Sequence, residues 1–189
     1  FQLASNMDYG QLISELRRAN QSSETVTLTI PEGYTIQQIA ELLEKSRVCG
    51  QDEFIETANT YDFSHAFLED VPMEENRLEG YLFPDTYEFS TKKSAVYAID
   101  TMLMNFNNRV SGELLTQIKQ SKYTLEGIIT LASVIEKEAP GDYGERANIS
   151  SVFHNRLERS NSETGTLLQS CATVYYALSL EGKGKEYFS

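Results

Sequence analysis

Apolar positions recur along this chain in two periods, and most of its elements follow from them. From Glu24 to Ile30 small polar and β-branched apolar residues alternate, which predicts a half-buried strand. Pro31-Glu32-Gly33-Tyr34 predicts a turn, and Thr35 is placed to cap a helix carrying Ile36, Ile39, Leu42 and Leu43. Three- and four-residue spacing predicts further helices over 52–58, from Ser94 to about Val110, over 112–122, over 147–157 and over 171–180. In the last two the inward residues are expected to be Ile149, Val152, Phe153 and Leu157, then Val174, Ala177 and Leu178. Residues 1–22 read as a strand end followed by a short helix striped by Leu12, Ile13 and Leu16. The run 77–89, dense in aromatic residues, acids, Gly and Pro, lacks a clean period and is expected to be irregular, packing a corner or lining a cleft. Leu167–Ser170 is expected to be a short extended piece.

The most apolar helix is predicted from Leu125, with Thr124 as its cap and Ile128, Leu131, Ile135 and Ala139 as its stripe. Pro140 and Gly141 stop it, and a loop is expected through Arg146. Glu136 and Glu138 fall in its last turn, where the helix dipole disfavours negative charge. A carboxylate at the end of a largely apolar helix suits a general acid, which must hold a proton. Residues two apart on a helix point about 200° apart, so the two acids cannot share one role.

The resulting fold class is α+β. A small α/β module is expected over 1–50, a helical connector over 51–76, and a mainly helical domain over 77–189, with the polar Met73–Asn76 as the boundary. Two phrases, Met7–Leu16 and Tyr34–Leu43, form a degenerate repeat of a cap and a short amphipathic helix. They resemble LysM-like sugar-binding modules, whose short helices pack on a two-stranded sheet.

Charge and composition narrow the chemistry. A net charge of −12 argues against nucleic acid or an anionic membrane surface as the main partner. Cys49, Cys171, His65 and His154 are scattered in no ligand spacing, so neither a metal site nor a disulfide framework is expected, and no cofactor is implied. With no tryptophan among 11 tyrosines and 9 phenylalanines, sugar stacking would fall to Tyr and Phe. The chain starts at Phe1 and stops after Lys185-Glu186-Tyr187-Phe188-Ser189. It is therefore expected to be a fragment, with any membrane anchor lying outside it.

Three ordered motifs now point further. Arg77-Leu78-Glu79-Gly80-Tyr81-Leu82-Phe83-Pro84-Asp85-Thr86-Tyr87, then Leu131 to Leu157, then Leu167-Leu168-Gln169-Ser170-Cys171-Ala172-Thr173-Val174 resemble the MltG/YceG-like family of endolytic murein transglycosylases over nearly the whole chain. The resemblance implies a LysM-like module before a lysozyme-like catalytic domain, in a bacterial enzyme anchored on the extracytoplasmic face of the cell membrane. Its implied substrate is the nascent glycan strand of peptidoglycan, cut between MurNAc and GlcNAc to leave a 1,6-anhydro-MurNAc end. Peptidoglycan synthases of the elongation machinery are its implied partners.

By the same resemblance the acid/base is Glu138, with Glu136 as its rival. Asn155 and Arg156 would lie near it, Arg156 pairing with Glu136 or Asp85. Gln169, Ser170 and Thr173 would line the cleft, and Tyr81 could stack on a sugar face. Glu79 and Asp85 are the available second acids, which keeps a muramidase-type hydrolase open, and the LysM-like half keeps open a non-catalytic peptidoglycan-binding scaffold that recruits synthases. Two positions depart from the family pattern. Ala139 stands where the family has Thr, and Cys171 stands where it has Asp, a residue whose role would be catalytic or helix-capping.

Overall fold

The computed structural model describes residues 8–10, 13, 24–91, 93–110, 112–139, 143–159 and 166–182. The first half of the expected repeat lies almost wholly outside them, as do Pro140, Gly141 and 160–165. The described elements are strand β1 (Thr25–Thr29), helices α1 (Ile36–Lys45) and α2 (Gln51–Thr60), strand β2 (Thr86–Ser90), then helices α3 (Ala95–Arg109), α4 (Glu113–Gln120), α5 (Leu125–Glu138), α6 (Tyr143–Glu158) and α7 (Cys171–Leu180). Mixed helix and a small sheet agree with the expected α+β class. The chain divides into two compact units, 1–111 and 112–189.

In the first unit β1 and β2 pair antiparallel, with Val26 opposite Phe89 and Leu28 opposite Tyr87. Tyr87 and Phe89 are buried, whereas Thr25, Thr27, Thr29, Thr86 and Glu88 face out. On the outer face the Thr25 hydroxyl donates to Glu88 at 2.7 Å and Thr29 bonds Thr86 at 2.8 Å. The stretch 77–89 is thus not irregular throughout. Thr86, Tyr87, Glu88 and Phe89 alternate, and the remote partner strand turns that short alternation into β structure. This pairing also ties residues beyond 76 to the first half of the chain, and the compact units part at 111/112.

Helices α1 and α5 start where their caps predict. Thr35 and Gln38 form a capping box at α1, worth about 1 kcal/mol. Gly33, at φ 76°, makes the tight turn into that cap. Ile36, Ile39 and Leu43 of α1, Phe54 of α2 and Ile99, Met102 and Leu103 of α3 are buried in this unit's core, α2 packing against both other helices. Phe67, Tyr81 and Phe106 form an aromatic cluster, with Phe67–Phe106 centroids 4.8 Å apart.

The second unit has a smaller core of Ile118, Val134, Ala139 and Phe153. Helix α5 packs against both α6 and α7. Helix α6 begins at Tyr143, so the last residues of the expected loop are its first turn. Two expected apolar faces differ from the structure. Val152 and Leu157 on α6 and Val174 on α7 are exposed, and α7 buries none of its residues. The spacing identified helices correctly but not which face a neighbour covers.

Candidate active site

Thr124 caps α5 through a 3.1 Å bond accepted from the Gly127 N–H, and the helix runs to Glu138 with Ala139 as its C-cap. That boundary sets Glu136 and Glu138 on different sides of the last turn, and each meets a different helix. Glu136 is paired by Arg146 of α6, whose Nη2 lies 2.8 Å from Oε1 and 2.6 Å from Oε2. The same guanidinium donates from Nε to the Ala139 carbonyl at 3.2 Å. Arg146 therefore neutralises a last-turn acid and satisfies a carbonyl at the negative end of the helix. With side chains only 17% and 21% exposed, this is a partly buried pair.

Glu138, the last residue of α5, is exposed. Its Oε1 accepts a 2.5 Å hydrogen bond from the hydroxyl of Ser170. Ser170 itself is buried, at 5% exposure, and stands at the N-cap of α7. The length lies in the charge-assisted O–H···O⁻ range. An N-cap serine ordinarily accepts from its own helix, yet this one makes no side-chain cap bond. Its hydroxyl serves Glu138 instead.

The segment holding Ser170 is fixed from both sides. The Arg156 guanidinium of α6 donates to the Leu168 carbonyl, and Thr173 donates from Oγ1 to the Ser170 carbonyl at 2.8 Å. Gln169 has φ 55°, a left-handed conformation that non-glycine residues adopt only at a cost of about 1–2 kcal/mol. That places Gln169 outside the extended geometry expected for Leu167–Ser170. Strain of this kind persists where surrounding contacts impose it.

Of the residues nominated from sequence, Glu138, Arg156, Gln169, Ser170 and Thr173 converge on one place. Arg156 holds the Leu168 backbone rather than pairing with Glu136 or Asp85. The partner of Glu136 is Arg146, which sequence reasoning missed. Its only signal was a cation in the turn following an acidic helix end. Asn155 is exposed on α6. Position 171 is the first residue of α7 and not its cap, so Cys171 stands clear of the capping role considered for the missing Asp.

Glu79, Tyr81 and Asp85 belong to the first unit and have structural partners there. Glu79 accepts the Ile36 N–H at 3.1 Å, placing an acid at the positive end of α1. Asp85 accepts from Asn105 at 3.0 Å, from the Thr86 N–H at 2.8 Å and from Arg109 at 2.8 Å. These bonds, the Asn105 amide foremost, hold its carboxyl below the usual range, unlike a proton donor. Tyr81 is 4% exposed between Phe67 and Phe106, which leaves no ring face for a sugar. Among the described residues no three His, Cys, Asp or Glu side chains cluster as metal ligands, and no helix is long and apolar enough to cross a membrane.

Comparison with known proteins places these motifs in context. The sequence profile of the YceG-like family matches residues 1–187. Proteins named endolytic murein transglycosylase from two strains of Streptococcus pneumoniae are 32% identical over 201 residues, covering 94% of this chain and 34% of each relative. One of the same name from Bacillus subtilis is 26% identical over 196 residues, covering 98% of this chain and 52% of the relative. The chain thus spans about a third to a half of the length of these relatives. A crystal structure of a yceG-like protein from Listeria monocytogenes superposes with a TM-score of 0.67 at 27% identity, over 94% of this chain and 60% of that one.

Proposed function

Because the chain belongs to the YceG-like family, we propose that it is part of an endolytic peptidoglycan lytic transglycosylase whose single acid/base is Glu138. The observation that carries this reading is the Ser170 hydroxyl bound to Glu138 Oε1. That bond orients the carboxyl and leaves Oε2 to carry the transferable proton.

The chemistry needs one carboxyl used twice. Protonated Glu138 donates to the glycosidic oxygen between MurNAc and GlcNAc as an oxocarbenium-like centre develops at C1. The resulting carboxylate takes the proton of the MurNAc 6-hydroxyl, whose oxygen attacks C1 and closes the 1,6-anhydro ring. The proton given in the first step is recovered in the second, and no water is consumed. Glu136, held by Arg146, supports the helix end rather than the reaction. A hydrolase would more typically pair the acid with a second carboxylate, and the two candidates are held within the first unit, Glu79 by the Ile36 N–H and Asp85 by Asn105 and Arg109.

In the same reading the first unit is a LysM-like module. Its order of strand, two helices and strand, with the strands antiparallel, supports this. The module then reaches β2 and is longer than the expected 1–50. The second unit belongs to a lysozyme-like catalytic domain. The whole enzyme acts at the extracytoplasmic face of the bacterial membrane through an anchor outside this chain. It trims or terminates nascent strands beside the synthases that make them.

The test is digestion of purified glycan strands by the full-length protein, with product masses recorded. Products lighter by one water than the hydrolytic ones, with anhydro ends, are expected. Reducing ends would favour a muramidase-type hydrolase, and binding without turnover a scaffold.

A further inference from the structure

The first unit contains a cavity of about 450 Å³ that the proposed reaction does not use. It lies between the end of α2 and the run leading to β2 and is lined by Phe63, Leu68, Met73, Asp62, Glu69 and Arg77, among others. Arg77 opens the aromatic motif of the sequence, yet nothing in the proposed chemistry calls on it.

Arg77 is only 6% exposed. Its Nη1 donates to the Tyr61 carbonyl at 3.4 Å and rests against the Met73 sulfur, a weak acceptor. Its Nε is buried with no partner. Among the described residues no carboxylate is paired with it, although Asp85 and Glu136 have arginines of their own. A guanidinium withdrawn from water without a counter-charge is strongly unfavourable. The two acids that line the same cavity, Asp62 and Glu69, are instead exposed, which sets negative charge towards the solvent side. His65, also a lining residue, is turned to Asp100 at 2.9 Å. A buried cation, an apolar wall and exposed acids form a graded site.

We infer that this cavity binds a short peptide terminus carrying a free carboxylate and a nearby ammonium group. The carboxylate meets the charge of the Arg77 guanidinium, which lines the cavity. A small side chain packs on Phe63, Leu68 and Met73, and the ammonium faces Asp62 and Glu69. A simple anion would be repelled by those two acids, whereas a zwitterion satisfies both charges. The stem peptides of peptidoglycan have this chemistry, and naming them as the source rests on the function proposed above. The first unit would then read the peptide while Glu138 cuts the glycan.

The experiment is calorimetric titration of the chain with Nα-acetyl-lysyl-D-alanine, its C-terminal amide and its Nε-acetylated form. Saturable binding of the free acid is expected, weakened about tenfold or more by amidation and several-fold by Nε-acetylation. Arg77→Gln should abolish the preference for acid over amide. Asp62→Asn with Glu69→Gln, changes at exposed positions that leave folding intact, should abolish the preference for the free amine even if Arg77→Gln does not fold. Equal affinity of wild type for acid and amide, or no saturable binding, overturns the assignment. Binding that persists in a full-length protein without lytic activity upholds the cavity's chemistry and separates it from a failure of the enzymatic reading.

Discussion

The Ser170 hydroxyl reaches Glu138 Oε1 at 2.5 Å from the N-cap position of α7, where it forms no bond to its own helix. Two helix ends thereby meet through one hydrogen bond, the C-terminus of α5 and the N-terminus of α7. A charge-assisted bond of this kind contributes about 1.5–3 kcal/mol. Ser170→Ala in the full-length protein should therefore lower kcat by roughly tenfold to a hundredfold, with KM little changed. Ser170→Thr, which keeps the hydroxyl, should recover part of the loss. Unchanged kcat in the alanine variant would remove Ser170 from the positioning of the acid.

Arg146→Met leaves Glu136 partly buried and unpaired, and should destabilise the second unit by about 1–3 kcal/mol. Adding Glu136→Gln to that variant should restore part of the stability, because the stranded charge goes with it. Denaturant unfolding of Arg146→Met, of Glu136→Gln and of the double variant checks this. A double variant as unstable as the sum of the singles contradicts the pairing.

Asp85 carries a pH signature in the first unit. Its carboxyl is held below the usual range by Asn105, the Thr86 N–H and Arg109. A value lower in the folded than in the unfolded state contributes stability above about pH 4, and that contribution is lost as pH falls through the lowered value. The melting-temperature gap between wild type and Asp85→Asn should be widest near neutrality and close towards acid. A gap that does not change with pH would detach Asp85 from this network.

The two thiols should differ in reactivity. Burial, reinforced by Glu53 and Glu44, pushes the Cys49 thiol up to about 11, whereas Cys171 lies exposed at the start of α7. Iodoacetamide at mildly alkaline pH should label Cys171 well before Cys49, since the thiolate is the reacting form. Mass spectrometry of the time course reads the order, and faster labelling of Cys49 contradicts the burial.

What the sequence displayed and what it hid divide along a physical line. Caps at Thr35 and Thr124 and the start of α3 after Ser94 were legible, because capping is local and depends on residues within one turn. The β1–β2 pairing was not, since a five-residue strand with a distant partner has too short an alternation to stand out among aromatics. Ser170 and Thr173 could be nominated through family motifs, but the bond from Ser170 to Glu138 requires two helices to meet in space. The same holds for Arg146, and for the commitment of Glu79 to α1 and Asp85 to α3. Acids on a sequence do not reveal whether an amide or an arginine already holds them.

The central claim is that Glu138 alone donates and recovers the proton. Full-length Glu138→Gln and Glu136→Gln should be compared on the same purified glycan strands, with anhydro-ended products quantified by mass. Glu138→Gln should lose activity by at least about 10²–10⁴-fold while remaining folded, and Glu136→Gln should retain clear turnover. Anhydro products formed by Glu138→Gln at the wild-type rate, or lost only in Glu136→Gln, would contradict the account.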